Sequence, residues 1–286
     1  MSIAVDCYAG YMAEQEPRRF QLGSERIEVE AVLDRWAGPD HRYFKVKGHD
    51  RKLYILRYDQ QSDHWELSGY RDSQEKDKEE EHEEDVQMTQ FSNEHITAGP
   101  CRINRIHHPA GTKKPIILLH GAKFEADTWL QLGTLDRFMA EDFPIHALDM
   151  PGFGKSETCT AAASEVLQAY IHQEHLDRPV IVGPSRGGRY ALELYFAHPE
   201  LVGGLILVGT VGVEDNASRF KDISVPCLLI WGSEDAISDP ENGHFLNREI
   251  PDSRLVILEG APHPCYLEKT EEFHQALIAF LNERFA

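Results

Sequence analysis

The stretch VIVGPSRGGRYALEL, residues 180–194, decides the fold of this chain. It opens with a short apolar run, Val180 to Val182, and closes on apolar residues spaced as on one face of a helix. Between these parts, Gly183 to Gly187 match the pattern G-x-S-x-G, with Ser185 at the centre. A serine on such a sharp strand-to-helix turn presents its hydroxyl at the carboxyl edge of a sheet, and the crowded turn needs small neighbours. The stretch therefore predicts a strand, a tight turn and a helix, with Ser185 as a candidate nucleophile.

Apolar runs and amphipathic runs alternate on both sides of this stretch. The predicted strands are residues 116–119, 145–148, 180–182, 205–208, 227–230 and 255–258. The predicted helices are residues 127–139, 164–174, 186–197, 240–248 and 270–285. Continuous apolar strands are typical of a sheet that helices cover on both faces. The alternation predicts an α/β fold with a doubly wound, mostly parallel sheet within residues 91–286.

Two residues downstream of Ser185 are candidates to activate it. A serine hydroxyl is a poor nucleophile unless a base accepts its proton and an acid orients that base. Asp235 and His263 each follow a predicted strand, so both lie at the carboxyl edge where such sheets build their sites. Glu234 and Asp239 are alternatives for the acid, and a purely structural loop position is an alternative for each residue taken singly. The order along the chain favours Ser185, Asp235 and His263 as a catalytic triad.

An oxyanion hole needs backbone N–H donors beside the nucleophile. We expect one donor from Arg186, the residue after the nucleophile, and the other from Ala122, in the loop after His120-Gly121. His120 ends a strand and is interpreted as packing beneath the site, with no role in proton transfer.

Two cations, Lys123 and Arg186, stand at or next to these donors in an otherwise acidic protein. Guanidinium and ammonium groups bind phosphates and carboxylates. One interpretation is that the two side chains bind an anionic group of the substrate, such as the phosphates of coenzyme A or a carboxylate. The other is that both are solvated surface cations.

The run DMPGFGKS, residues 149–156, ends in GKS and invites a phosphate-loop interpretation. That loop needs a glycine five positions before Gly154, and the residue there is Asp149. The histidines also lack the cysteine or carboxylate spacing typical of a metal site. We therefore expect no nucleotide loop, no metal and no resident cofactor, with coenzyme A considered only as an acyl acceptor.

The chain changes character before the α/β region. Residues 75–85, EKDKEEEHEED, hold eight acids and no apolar residue, so residues 73–90 are interpreted as an acidic linker. A solubilising spacer, an acidic interaction tail and a helical spacer all fit this composition. Residues 1–72 show short alternating runs between turn-like segments, which predict a small antiparallel β meander of four or five strands. Its role is unknown; recruitment of a protein partner is one interpretation.

The composition excludes several classes of protein. The chain has 286 residues, of which 41% are hydrophobic, enough for a packed core. The net charge of −19 would repel nucleic acid. No uncharged run reaches the roughly 18 residues of a membrane helix, and residues 1–13 lack the basic start of a signal peptide. The five cysteines are scattered, so no disulfide framework is expected and a reducing cytoplasm fits better.

The motifs resemble, in order, those of the α/β-hydrolase superfamily: HG at 120–121, DMPGFGKS at 149–156, GPSRGG at 183–188, WGSED at 231–235 and GAPHP at 260–264. Residues 118–135 and 261–281 resemble one branch of it, the domain-fourteen subfamily, the group that includes the transcription-initiation-factor-interacting "factor B". The resemblance covers residues 91–286. It implies the triad named above and activity on small acyl esters. For the mammalian branch it also implies acetyl transfer from lysine to coenzyme A.

Two features depart from the subfamily. Arg186 stands where the subfamily has an aliphatic residue, and the module of residues 1–72 has no counterpart in those relatives.

The connection between two predicted strands is short, since only sixteen residues separate Val208 from Val225. A helical lid is often inserted there in the superfamily, and this gap is too short for one. We therefore expect an open serine and a small or protruding acyl substrate.

The sequence thus predicts a serine hydrolase, a carboxylic ester hydrolase or deacylase that works through a covalent acyl-serine. A cofactor-free perhydrolase or haloperoxidase would use the same triad. An aspartate-nucleophile enzyme is disfavoured because residue 185 is serine. The alternative from another class is a hydrolase-fold scaffold that binds a partner.

Overall fold

The structure is a computed structural model that describes residues 2–9, 15–23, 25–37, 41–50, 52–59, 62, 64–71 and 91–285. The chain divides into two compact units, residues 1–88 and 89–286. The predicted acidic linker, residues 73–90, lies outside the described residues. Its interpretation as a solvated spacer stays a prediction.

The first unit is a single antiparallel sheet with more strands than expected. The described residues of this unit form seven strands: β1 (Ser2–Ile3), β2 (Val5–Ala9), β3 (Gln15–Leu22), β4 (Glu25–Ala37), β5 (His41–Gly48), β6 (Leu53–Asp59) and β7 (His64–Arg71). They pair in the order β1-β7-β6-β5-β4-β3-β2. The antiparallel module is confirmed, whereas the number of strands, four or five, is wrong because the two strands at the amino end lack a clear alternation.

The strand order also gives the shape of this sheet. Strands β1 and β2 lie at opposite ends of the order although only Ala4 separates them in the chain. The sheet must therefore curl until its two edges approach each other. Side chains that alternate along the strands fill the inside, among them the buried Phe20, Ile27, Val46 and Leu56. The curled sheet thus has its own hydrophobic core.

The second unit contains an eight-stranded, mostly parallel sheet, as the sequence predicts. Its strands are β8 (Ser92–Ala98), β9 (Cys101–His108), β10 (Ile116–Leu118), β11 (Ile145–Leu148), β12 (Val180–Pro184), β13 (Gly204–Val208), β14 (Cys227–Gly232) and β15 (Ser253–Leu258). The order is β15-β14-β13-β12-β10-β11-β9-β8. Strands β10 to β15 pair in parallel, and β8 and β9 form an antiparallel edge.

Helices cover both faces of this sheet. They are α1 (Asp127–Gln131), α2 (Thr134–Ala140), α3 (Ala163–Gln173), α4 (Arg186–Ala197), α5 (Pro240–Glu249), α6 (Cys265–Glu268) and α7 (Thr270–Phe285). Alternate residues of each central strand enter different cores: Ile117 belongs to the core on the side of α3, α4 and α5, and Leu118 to the core on the side of α1, α2 and α7. This explains why the central strands are apolar throughout. None of the helices in the described ranges is long and apolar enough to span a bilayer.

The edge pair β8–β9 was not predicted because its buried positions mix polar side chains with apolar ones. Arg105 on β9 is 8% exposed and is held by Glu94 at 2.9 Å and Glu174 at 2.5 Å. Its guanidinium also donates to the hydroxyl of Tyr170, 3.2 Å away. A buried charge is tolerated because its donors are satisfied. The sequence pattern does not reveal which residues pair with Arg105.

One disulfide joins two of the scattered cysteines, a pairing that the sequence analysis did not predict. Cys101, at the start of β9, is bonded to Cys159, in the segment after β11, with 5.7 Å between their Cα atoms. The two residues are 58 positions apart in the chain, so no local spacing announces the pair. Disulfides persist mainly in oxidising compartments, and the expected cytoplasmic location stays a prediction.

We expect this disulfide to contribute about 2–4 kcal/mol to the free energy of unfolding, since it closes a long loop in the unfolded chain. Addition of dithiothreitol should therefore lower the Tm of the wild-type protein. In Cys159→Ala the Tm should start lower and should not respond to the reductant. Equal Tm values for the wild-type protein with and without reductant would contradict the pairing, as would a non-reducing peptide map without a Cys101–Cys159 link.

Candidate active site

Ser185 occupies a strained turn between β12 and α4. Its φ of 52° and ψ of −113° lie outside the regions that side chains usually adopt, a strain typical of functional turns. The backbone N–H of Ser185 donates to the carbonyl of Val208 at 2.7 Å, which ties the turn to β13. A Cβ atom on Gly183 would lie 2.4 Å from the backbone of Gly187. The turn can therefore close only with glycine at position 183.

The fold brings the three residues of the predicted triad into one chain of hydrogen bonds. The Oγ of Ser185 lies 2.8 Å from Nε2 of His263. The Nδ1 of His263 lies 2.8 Å from Oδ2 and 2.9 Å from Oδ1 of Asp235. Although Ser185 stands at the position before α4 where serine often caps a helix, its hydroxyl forms no capping bond. The hydroxyl instead faces the imidazole, in the geometry of a nucleophile and its base.

Of the three acids in this loop, Asp235 is the one that is hydrogen-bonded to His263. The Asp235 side chain is fully buried, and its Oδ1 accepts the backbone N–H groups of Ile237 at 2.9 Å and Ser238 at 2.8 Å. These donors and the imidazole satisfy the oxygens of the buried carboxylate. Asp239, an alternative from the sequence, caps α5 by accepting the N–H of Glu241 at 2.9 Å. Its carboxylate is therefore engaged in a structural role.

Ser238 is a residue of this site that the sequence analysis missed. Besides its N–H bond to Asp235, its hydroxyl donates to the carbonyl of Thr210 at 2.7 Å. This joins the loop that carries the acid to the segment after β13. The indole N–H of Trp231 donates to the carbonyl of Ser238 at 3.0 Å and holds the loop from the other side. Only the three-dimensional structure relates these residues, since a serine three positions after an acid is common.

The loop after β10 lies against the start of α4. A Cβ atom on Gly121 would lie 3.7 Å from Cβ of Ser185, and one on Gly187 would lie 2.9 Å from the carbonyl oxygen of His120. The backbone segments that contain Ala122 and Arg186 therefore flank the nucleophile. Both amides remain the predicted donors of the oxyanion hole.

His120 fixes this loop rather than taking part in proton transfer. Its Nδ1 lies 2.8 Å from the carbonyl oxygen of Gly121, and its Nε2 accepts the N–H of Met150 at 3.0 Å. Burial lowers the pKa of His120, so the ring is neutral with its proton on Nδ1. A second bond, from the N–H of Ala126 to Oδ1 of Asp149 at 2.6 Å, holds the end of the same loop. These contacts agree with the structural role that the sequence predicts for His120.

The GKS segment does not form a phosphate cradle. The carboxylate of Asp149 accepts the backbone N–H of Lys155 at 3.0 Å and the amide of Asn104 at 3.0 Å. A carboxylate thus occupies the place towards which a phosphate-binding N–H would point. Within the parts of the chain that the structure describes, no three His, Cys, Asp or Glu side chains are grouped so as to hold a metal ion.

The residue after the nucleophile, Arg186, is exposed and lies near an aromatic ring. The guanidinium of Arg186 lies 5.6 Å from the ring centre of Phe153, and that ring lies 4.9 Å from the ring of His120. Phe153 was not singled out in the sequence, where it is one residue in a glycine-rich turn. Lys123 is exposed on the loop that carries Ala122, and its part in substrate binding stays a prediction.

Comparison with known proteins identifies relatives by family model, by sequence and by structure. The family described as the α/β hydrolase fold matches residues 114–220. Human "Putative protein-lysine deacylase ABHD14B" is 33% identical over 174 residues, which are 58% of this chain and 82% of that protein. Human ABHD14A is 35% identical over 173 residues, 58% of this chain and 64% of that protein. The crystal structure of a "predicted CIB-like hydrolase" from Thermoplasma acidophilum has 28% identity and a TM-score of 0.65, covering 68% of this chain and 98% of its own.

Proposed function

This chain belongs to the α/β-hydrolase superfamily, in the group of ABHD14A and ABHD14B, and we propose that it cleaves small acyl esters or related acyl compounds through a covalent acyl-serine. The observation that carries the proposal is the continuous hydrogen-bond chain from Ser185 through His263 to Asp235, with both links at 2.8 Å. The family membership makes the protein a hydrolase. The geometry names the residues through which it would act.

The first half of the proposed reaction is acylation of Ser185. The Oγ attacks the acyl carbonyl while its proton passes to Nε2 of His263, and the carbonyl π electrons move to the oxygen. The amides of Ala122 and Arg186 stabilise that oxyanion. When the carbon–leaving group bond breaks, His263 returns the proton to the leaving group. Asp235 holds the imidazole in the tautomer that accepts from serine and stabilises the imidazolium.

The second half is removal of the acyl group. A water molecule, or the thiol of coenzyme A, gives its proton to His263 and attacks the acyl carbonyl. Ser185 then leaves with the proton restored to its Oγ. With water as the acceptor the product is a carboxylic acid, and with coenzyme A it is a thioester. The name of human ABHD14B makes an acyl-lysine side chain one donor to be tested.

The surroundings of Ser185 favour a small or protruding substrate. Ser185 is half-buried rather than enclosed. The connection from β13 to β14 contains two short 3₁₀ turns, residues 214–216 and 220–222. Phe220 of this connection is fully buried in the core, so the segment packs onto the sheet. These features support an active site without an inserted helical lid.

A fluorophosphonate probe tests the proposed function against the alternative of a catalytically silent scaffold. Because the imidazole activates Ser185, we expect the probe to label the full-length protein stoichiometrically, with the modified peptide containing residue 185. Heat-denatured protein, which has the same serine without its base, is the control and should not be labelled. Absence of labelling in the folded protein would favour the scaffold.

A further inference from the structure

Arg186 differs from every other arginine that the structure describes in the hydrolase unit. Seven of the ten form ion pairs with carboxylates: Arg102, Arg105, Arg137, Arg189, Arg248, Arg254 and Arg284. Arg178 and Arg219 donate to backbone carbonyls. Among the described residues, Arg186 has neither kind of partner, although the chain contains 48 acidic residues. The exposed guanidinium on the residue after the nucleophile therefore keeps its donors open.

The platform beneath Arg186 explains how the open guanidinium can be oriented. Its Cζ lies 5.6 Å from the ring centre of Phe153, and Phe153 packs on the buried ring of His120. Attraction between the cation and the aromatic ring restrains the side chain without using its N–H donors. A planar guanidinium with free donors matches the oxygens of a carboxylate or phosphate in a bidentate geometry. The contact thus leaves Arg186 prepared to bind an anion.

The position of Arg186 in the chain ties its side chain to the residue that carries the nucleophile. Arg186 is bonded directly to Ser185, and its own amide is a proposed donor to the oxyanion. A substrate whose carbonyl lies on Ser185 would therefore have its nearest substituents within reach of the same residue's side chain. The net charge of −19 disfavours anions at the surface as a whole, so any preference for an anionic substrate must arise locally.

We propose that Arg186 selects acyl substrates that carry an anionic group, a carboxylate or a phosphate, a few bonds from the scissile carbonyl. This inference rests on the proposed function, because it assigns a substrate class to the same nucleophile. The anionic group can have two sources. It belongs either to the acyl group, as in a succinyl group, or to the leaving group. In both cases the guanidinium of Arg186 would donate hydrogen bonds to the oxygens of the carboxylate or phosphate.

Four thioesters separate these sources. S-butanoyl- and S-succinyl-N-acetylcysteamine have the same acyl length and differ by a carboxylate on the acyl side. S-acetyl-N-acetylcysteamine and S-acetyl-N-acetylcysteine share the acyl group and differ by a carboxylate on the thiol side. Release of the thiol gives kcat/KM for each substrate with the full-length protein. We expect the anionic member of at least one pair to be preferred by about tenfold at low ionic strength.

Substitution of Arg186 then tests whether this preference comes from its guanidinium. Arg186→Leu should reduce the anionic-to-neutral ratio of kcat/KM to about one, and Arg186→Lys should retain part of it because the charge remains. The matched control is Arg189→Leu, an exposed arginine on the same helix that pairs with Glu193 at 3.0 Å. It should leave the ratio of the wild-type protein unchanged.

The outcomes distinguish this inference from the proposed function. If Arg186→Leu lowers the anionic-to-neutral ratio of kcat/KM only for the pair that differs on the acyl side, Arg186 binds an anion of the acyl group. If it lowers the ratio only for the other pair, Arg186 binds an anion of the leaving group. A ratio near one in the wild-type protein, or an equal loss for both members of each pair in Arg186→Leu, overturns the inference while hydrolysis itself stands. If no thioester is hydrolysed and a fluorophosphonate does not label Ser185, the proposed function fails first. Probe labelling of Arg186→Leu shows that the variant is folded.

Discussion

Ser185→Ala should lower kcat for a small acyl ester or thioester by about 10⁴–10⁶-fold, the range that removal of a triad nucleophile produces. The proposed covalent intermediate cannot form without the Oγ that lies 2.8 Å from Nε2 of His263. Any residual rate would come from water activated by His263 and from the oxyanion donors. The measurement is thiol or phenol release under substrate saturation, with purified full-length protein.

The control for this experiment is Ser224→Ala, which removes a serine hydroxyl that lies 3.3 Å from the hydroxyl of Tyr195 rather than beside the triad. Its kcat should stay close to that of the wild-type protein. A Ser185→Ala variant that retained more than about a tenth of the wild-type kcat would identify another group as the nucleophile. The covalent mechanism would then be wrong even though the family membership stands.

The parts of this structure that follow from local sequence were predictable. An apolar run, a turn of small residues and an amphipathic run are each recognisable within a few residues, so the strand-to-helix turn at Ser185 could be identified without coordinates. Asp235 and His263 were found by the same reasoning, because each follows an apolar strand. The order of the three residues along the chain then supplied the long-range relation that spacing alone does not contain.

The parts that depend on distant contacts were not predictable. The predicted helix 127–139 is two helices in the structure, since Gly133 between them adopts a φ of 70°. The edge strand β9 buries Arg105, whose ion-pair partners are Glu94 in β8 and Glu174, the residue after α3. The bond between Cys101 and Cys159 also joins residues that meet only after the sheet has formed. For Arg105 and for the disulfide, the sequence pattern is local and the stabilising contact is not, whereas the break at Gly133 is a local choice of backbone conformation that the helical spacing of the apolar residues does not reveal.

The same limit applies to the site. The side chain of Ser238 contacts Thr210, and the guanidinium of Arg186 contacts Phe153, across 28 and 33 positions of the chain. Neither pair has a spacing that a motif records. The catalytic residues could be predicted because chemistry restricts their types, whereas the residues that position them or bind substrate were visible only in the structure.

Asp235→Asn should lower kcat by about 10⁴-fold while leaving the fold intact. An asparagine oxygen can still accept the backbone N–H groups of Ile237 and Ser238, which bond to Oδ1 in the wild-type protein. The Asn amide would then point an N–H donor at Nδ1 of His263. That contact favours the imidazole tautomer with its proton on Nε2, which cannot accept the proton of Ser185. The expected loss is therefore in kcat, with little change in Tm.

Asp239→Asn is the matched control, because it makes the same chemical change four residues away. Asparagine caps helices about as well as aspartate, so the bond from the N–H of Glu241 and the activity should both persist. Glu234→Gln completes the comparison among the three acids of this loop. If Asp239→Asn or Glu234→Gln lost as much kcat as Asp235→Asn, the buried carboxylate would not be the acid that orients His263. If Asp235→Asn alone lost it, with an unchanged Tm, the loss would arise from the imidazole tautomer and not from loop unfolding.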